Sequence, residues 1–364
     1  MRRVFEQWVA VAVAILFCFG SQPQAQEVKI AVERHLFVHA LDALDGLELH
    51  ATMARITEED GVKALELNGM VLVPDLAAED VGIEVEIYAP APCYPGIAFR
   101  LTDMGSFELA YAVPVASGEA DAIQYDPVFN GSNTWQVYTG PAYQQQATVP
   151  LGEWFTLRID VVGDRAAIRV GDQPPLVVEC LAHGRSQGRI GLWTYRPARF
   201  RNLRVTGPRL FEDISGERPQ APQGCVAEWW SEATGAARVE PNGVLNLNRY
   251  LRCPPTEVQL SRSFTLKDEA DLDITCGFSD HLSLSLDGDL LFDGSNTFAG
   301  FESEEARGWV RPGYQHLTRR TLPGLHQLQA VVSVTEPFGW GLVVAVTGGD
   351  ITLLPVVPTN SGKP

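Results

Sequence analysis

No two cysteines in the chain stand at CxxC spacing, which removes the arrangement that zinc ribbons and dithiol redox motifs require. HExxH and GxSxG are also missing. The nearest serine motif, Gly277-Phe278-Ser279-Asp280, lacks the second glycine, and Gly362-Lys363 runs straight into Pro364, so no phosphate-cradling loop is present. The histidines are few and scattered, and no repeat of fixed period is found. Basic residues are scarce: 28 Lys and Arg stand against 45 Asp and Glu, for a formal net charge of −17. Such a surface repels nucleic acid and anionic lipid, and it suits neutral or cationic ligands.

What is present begins with Met1-Arg2-Arg3, an apolar run from Val9 to Phe19, and a polar stretch with a small residue at Ala25. A charged start, a short apolar middle and a small-residue boundary describe a signal peptide over residues 1–26. The run falls short of the roughly 20 apolar residues that span a bilayer. The expectation is an exported protein, periplasmic or extracellular, with no membrane span after cleavage. Five cysteines follow: Cys93, Cys180, Cys225, Cys253 and Cys276. In an oxidising compartment Cys93 with Cys180, and one pair among the last three, are candidate bridges; buried free thiols are the alternative.

From Val81 the pattern has a period of two. Ile83, Val85 and Ile87 alternate with Glu84 and Glu86; Phe155, Leu157, Ile159 and Val161 with Thr156, Arg158 and Asp160; Leu272, Ile274, Cys276 and Phe278 with Asp271, Asp273 and Thr275. One face is buried and one is wet, as in antiparallel sandwich strands. Gly163-Asp164, Gly171-Asp172 and Asp287-Gly288 supply turns. Pro208 to Gly224, with three prolines and few apolar residues, reads as a linker. The fold expected is all-β: two consecutive antiparallel β-sandwich (jelly-roll) domains after the signal peptide, over 27–207 and 225–354, with a linker at 208–224 and a disordered tail at 355–364.

Two stretches carry a family resemblance. Gly152 to Ile159 with Arg165 to Val170, Gly188 to Trp193 with Phe200 to Val205, and Gly96 to Arg100 resemble the strands of concanavalin A-like, laminin G-type domains over about Val28 to Gly207. Val244 to Tyr250, Gly277 to Asp280 and Phe338 to Gly341 resemble galactose-binding-like jelly rolls over about Cys225 to Leu354. The first resemblance implies a sandwich used by lectins, glycosidases and adhesion modules alike, so it fixes no activity. The laminarinase-like branch of that fold carries a compact E-x-D-x-x-E strand, which this sequence lacks.

The segment from Asp121 to Tyr143 gathers aromatics, amides and carboxylates without a clean strand period. Sugars present flat C–H faces ringed by hydroxyls, so their sites combine aromatic platforms with two-way hydrogen-bonding groups. Asp121, Gln124, Tyr125, Asn130, Trp135 and Tyr138 are therefore the candidate ligand-binding residues, with packing beneath a long loop as the alternative. Glu84 and Glu86, on one strand face, are the only candidate catalytic pair. No cofactor is expected beyond a structural Ca2+, for which Asp75, Asp126 or Asp213 would serve. In the second module Trp229, Trp230, Trp309 and Trp340, with Asp280, Asp287 and Asp293, invite a second lectin reading. The leading expectation is a non-catalytic, carbohydrate-binding exported protein; the alternatives are a glycoside hydrolase of concanavalin A-like fold and an adhesive envelope protein.

Overall fold

The computed structural model describes residues 34–59, 61–208, 214–252 and 256–356. The expected signal peptide, Cys253, Asp213 and most of the tail lie outside them. Among the described residues, strand follows strand, joined by turns and three short 3-10 helices.

The first sandwich contains β1 (His35–His39), β2 (Glu48–Glu59), β3 (Val62–Ala78), β4 (Val81–Tyr88), β5 (Tyr94–Asp103) and β6 (Ser106–Ala112). It continues with β7 (Ile123–Tyr125), β8 (Gln144–Gln145), β9 (Trp154–Val162), β10 (Arg165–Val170), β11 (Leu176–Val178) and β12 (Gly188–Thr206). The pairing order is β11-β10-β9-β4-β12-β5-β6-β7-β8. β12 ties the two layers together: Arg189 to Tyr195 pair with β5, and Arg199 to Thr206 pair with β4. β3 follows it through the same corner, with a register shift between Thr194 and Ala198. The corner needs Gly69, which has φ +123° and leaves room for Ala51; a Cβ there would lie 2.6 Å from the Ala51 Cα.

The period-two readings hold. Ile83, Val85, Ile87, Leu157, Ile159 and Val161 are fully buried in one core with Ile97, Phe99 and Leu192 from the β5 side. Gly163 and Gly171 take positive φ in their turns, and Asp287-Gly288 does the same at φ 53° and 88°. Cys93, Cys180, Cys225 and Cys276 are free thiols, so of the two alternatives the Cys93–Cys180 bridge is not formed. Burial pushes the Cys93 thiol up to about 12, which keeps it protonated and inert.

The second sandwich holds β13 (Glu228–Ser231), β14 (Gly235–Arg238), β15 (Leu245–Asn246), β16 (Glu257–Leu266), β17 (Ala270–Ser279) and β18 (His281–Leu286). It ends with β19 (Asp289–Ser295), β20 (Gln315–Thr321), β21 (Gly324–Ser333), β22 (Gly341–Thr347) and β23 (Ile351–Leu353). One sheet runs β14-β13-β16-β21-β18-β19, the other β15-β22-β17-β20. Trp229, Phe264, Phe278 and Trp340 fill the space between them. Trp229 and Trp340 are wholly interior and Trp309 is buried, so these rings offer no open platform.

The described residues belong to one compact unit. Part of the connecting segment lies along the outer face of β10 and β11: Ile214 covers Ala167 and Val177, and the Gly216 N–H donates to Glu179 at 2.7 Å. Between the sandwiches run buried polar contacts. Arg307 donates to Asp121 through Nε at 2.8 Å and Nη2 at 3.1 Å. Gln136 accepts from Ser279 Oγ at 3.0 Å, and its carbonyl takes the Val310 N–H at 2.8 Å. Arg249 donates to the Ala182 carbonyl at 2.9 Å and lies over the Phe129 ring.

Candidate functional site

The face of β3, β5, β6 and β12 that points away from the first core carries a second apolar layer, including Leu109, Tyr111 and Trp193. Alternation puts them there. On β12, Ile190 and Leu192 enter the core, so Trp193 and Tyr195 occupy the opposite phase. On β6, Ala110 and Ala112 point inward and Tyr111 outward. Gly96 of β5 pairs with both Tyr111 and Trp193. With no side chain between them, those two rings meet at 5.8 Å. A Cβ at Gly96 would lie 2.4 Å from the Ala110 carbonyl oxygen and 2.6 Å from the Tyr111 Cβ.

Over this floor opens a cavity of about 320 Å3, within the usual span for small-ligand sites. Tyr94, Tyr111, Trp193 and Tyr195 form one aromatic group, with Tyr94 5.9 Å from Tyr195 and 6.2 Å from Tyr111. A second aromatic group, drawn largely from the second sandwich, lines the same cavity. Phe298 packs edge-on against Trp135 at 5.7 Å and Phe301 at 5.2 Å, and Phe338 lies 5.6 Å from Trp135. The cavity is thus built by both sandwiches. Its polar side chains are the Gln124 and Asn133 amides and the phenols of Tyr94, Tyr111 and Tyr195, and among the described residues no charged side chain lines it.

The residues that hold this edge are interior. Asp126, fully buried, accepts from Asn133 Nδ2 at 2.7 Å and the Thr134 N–H at 2.6 Å. Burial pushes its carboxyl up to about 7, against the pull of those donors and of the Tyr111 hydroxyl. The Arg307–Asp121 pair anchors the base of the segment that carries Phe298 and Phe301, and the Arg307 guanidinium lies 4.6 Å from the Phe301 ring. The Phe298 N–H donates to Glu336 at 2.8 Å.

The candidate residues from the sequence separate into three groups. Gln124 and Trp135 line the cavity. Asp121, Tyr125 and Tyr138 are interior: Asp121 serves Arg307, the Tyr125 hydroxyl donates to Glu108 at 2.6 Å, and Tyr138 packs edge-on against Tyr125 and Tyr143. These three offer no surface to a ligand, because they are buried. Asn130 is exposed and donates to the Asn248 carbonyl at 2.8 Å, again bridging the sandwiches. Glu84 and Glu86 lie on the outer face of the other layer. Glu84 meets Arg158 and Arg204, and Glu86 accepts from Arg201 at 2.6 Å and Asn202 at 2.7 Å. Asp280 caps the 335–336 backbone, and among the described residues no three His, Cys, Asp or Glu side chains gather into a metal-holding group.

Tyr94, Tyr111, Trp193, Tyr195, Phe298 and Phe301 were not legible as site residues in the sequence. Trp193 and Tyr195 carried one signal: large aromatic residues on the wet phase of a strand whose other phase is plainly core. A further hollow of about 350 Å3 is lined by Glu217, Arg218, Gln220 and Asn242 together with prolines and aliphatic residues, and Tyr143 is its one aromatic ring.

Residues 47–206 match the model of the 3-keto-alpha-glucoside-1,2-lyase-like domain. The match runs from β2 to the end of β12, less than half of the chain. Among solved structures, the chain is similar to a carbohydrate-binding module from Bacillus subtilis, at 16% identity and TM-score 0.34 over 44% of this chain and 94% of that one. It is also similar to a Bacillus subtilis protein with a galectin-like fold, at 10% identity and TM-score 0.36 over 48% and 98%. A third is domain 4 of an extracellular arabinanase from Geobacillus stearothermophilus, solved with arabinotriose, at 11% identity and TM-score 0.31 over 50% and 96%. Similarity at this level says nothing of what this chain binds. No curated protein matches the sequence.

Proposed function

We propose that the chain binds a short neutral saccharide in the cavity between the two sandwiches. One observation carries the reading: aromatic rings from both sandwiches line a single cavity whose polar side chains are two amides and three phenols, with no charged side chain among them. Rings stack on sugar C–H faces, and Gln124 and Asn133 each offer a donor and an acceptor to hydroxyls. A charged sugar would enter without a partner for its charge, a cost of several kcal/mol. An anionic one would also approach a protein of net charge −17. The glucoside named by the matched family supports the same ligand class. The reading keeps the laminin G-like resemblance of the first sandwich, the jelly-roll resemblance of the second, and action outside the cytoplasm as its setting.

The reading is non-catalytic, because among the described residues no carboxylate side chain lines the cavity. A second reading, an enzyme acting on a glucoside, is favoured by Asp126, a carboxyl pushed up to about 7 one hydrogen bond behind Asn133. Calorimetric titration with maltose, cellobiose and their uronic-acid counterparts tests the proposal, with reducing-end assays run on the same mixtures. Binding of a neutral disaccharide, weakened about tenfold by Trp193→Ala, is expected. Preference for the uronic acids, or neutral binding untouched by Trp193→Ala, would overturn it. Turnover abolished by Asp126→Asn would favour the enzyme.

A further inference from the structure

The two sandwiches contribute different chemistry to the cavity. Every amide and phenol in its lining comes from the first, on Gln124, Asn133, Tyr94, Tyr111 and Tyr195, and so do the indoles of Trp135 and Trp193. The second supplies Phe298 and Phe301, from the loop between β19 and β20, and Pro337 and Phe338, from the loop between β21 and β22. All four of those side chains are hydrocarbon. Backbone polar groups at these rings are engaged as well: the Phe298 N–H donates to Glu336 at 2.8 Å, and the Phe338 carbonyl accepts the Gln136 N–H at 3.2 Å.

This hydrocarbon is not spent in a core. Phe298, Phe301 and Phe338 stay half-buried and Pro337 is exposed, although Phe298 packs edge-on against Phe301 and Phe338 at 5.2 and 6.1 Å. Tyr94, Tyr111, Trp193 and Tyr195 make their ring contacts among themselves. A hydrocarbon patch and a hydroxyl-and-amide patch inside one cavity match a ligand that is apolar at one end and polar at the other.

We propose that the ligand is a glycoside with a flat apolar aglycone, its sugar held by the first sandwich and its aglycone laid against Phe298, Phe301 and Phe338. The assignment rests on the saccharide reading and narrows it. A second sugar unit in the aglycone position can stack its C–H face on a phenylalanine ring. None of the four side chains pairs its hydroxyls, however, and a hydroxyl that loses water without gaining a partner weakens binding. An aromatic aglycone gives up no hydrogen bond there and stacks on the same rings. At the polar end Gln124 is already set for hydroxyls. Its Nε2 donates to the Asp121 carbonyl at 3.2 Å and its Oε1 accepts from the Tyr111 hydroxyl at 3.1 Å. Those bonds fix the amide and leave it one N–H and one lone pair for a ligand.

Calorimetric titration of the full chain compares two pairs: phenyl α-glucoside with maltose, and phenyl β-glucoside with cellobiose. In the pair that binds, the phenyl glucoside should be held about tenfold more tightly than the disaccharide, a shift of about 1.4 kcal/mol. Gln124→Ala should weaken both members by a similar factor and keep their ratio, whereas Phe298→Ala should bring the ratio to about two or less. A disaccharide held as tightly as its phenyl glucoside, and still weakened by Trp193→Ala, overturns the aglycone assignment and leaves the saccharide reading standing. Benzyl alcohol binding as tightly as the phenyl glucoside, or no binding in either pair, overturns both. A ratio unchanged in folded Phe298→Ala removes the aglycone from the second sandwich and overturns the proposal. Should Phe298→Ala fail to fold, Phe338→Ala is read in its place, and the comparison of ligands on the wild type needs no variant.

Discussion

Replacing Arg307 by alanine tests how the second sandwich is held over the cavity. The guanidinium and the Asp121 carboxylate are 4% and 1% exposed and meet through two hydrogen bonds, with Arg307 also donating to the Ser303 carbonyl at 3.2 Å. Truncation leaves a carboxylate buried with no counter-charge, which costs about 3–5 kcal/mol. The lost contacts with the Phe301 and Trp309 rings, at 4.6 and 5.7 Å, add roughly 0.5–1 kcal/mol each. Urea unfolding followed by tryptophan fluorescence, with a double-mutant cycle through Asp121→Ala, reads this directly. The single variants should each lose several kcal/mol, and the double variant much less than their sum, because removing both partners removes the unpaired charge. Ligand affinity should fall in Arg307→Ala as well, since the segment bearing Phe298 and Phe301 loses its anchor. A loss under about 1 kcal/mol, or additive effects in the cycle, would refute the reasoning.

Two further predictions concern the floor of the site and its buried carboxyl. Gly96→Ala should separate the Tyr111 and Trp193 rings, because the new Cβ meets the Ala110 carbonyl oxygen at 2.4 Å; thermal melting should show a loss of roughly 1–3 kcal/mol from overpacking, and unchanged melting would contradict it. Burial raises the Asp126 carboxyl in the folded state to about 7, above its ordinary value of 3.8. The native state therefore holds a proton that the unfolded state has released between those values. The resulting stabilisation is fully present below about 4 and is lost as pH rises through about 7, a change on the order of 4 kcal/mol. Asp126→Asn should flatten that part of the stability profile in urea titrations at successive pH values, and a variant with the wild-type slope would contradict the assignment.

The strands were legible because burial on one face imposes a period of two, and Ile83, Leu157, Leu272 and Ile274 all sit where that period puts them. The corner at which β3 and β12 pass between layers was not, because alternation continues through it and only Gly69 and the left-handed Arg196 mark the turn. Asp121 and Tyr138 misled for a related reason. A run of aromatics and polar groups without a strand period describes a ligand loop, but it also describes a buried junction whose partners lie far along the chain. Asp121 meets Arg307 across 186 positions, a distance over which local pattern carries no information. Gln124 and Trp135 were found because they share that segment, whereas Phe298 and Phe301 reach the cavity only through the packing of one sandwich on the other.

The central claim is that one cavity, completed by both sandwiches, holds the saccharide. Calorimetric titration of Phe298→Ala with the neutral disaccharide bound by the wild type tests it most directly. Phe298 belongs to the second sandwich and faces Trp135 across 5.7 Å. The account predicts affinity reduced about tenfold, a shift of about 1.4 kcal/mol, in a protein that still melts cooperatively. Wild-type affinity in folded Phe298→Ala would contradict a shared site and return the ligand to the first sandwich alone.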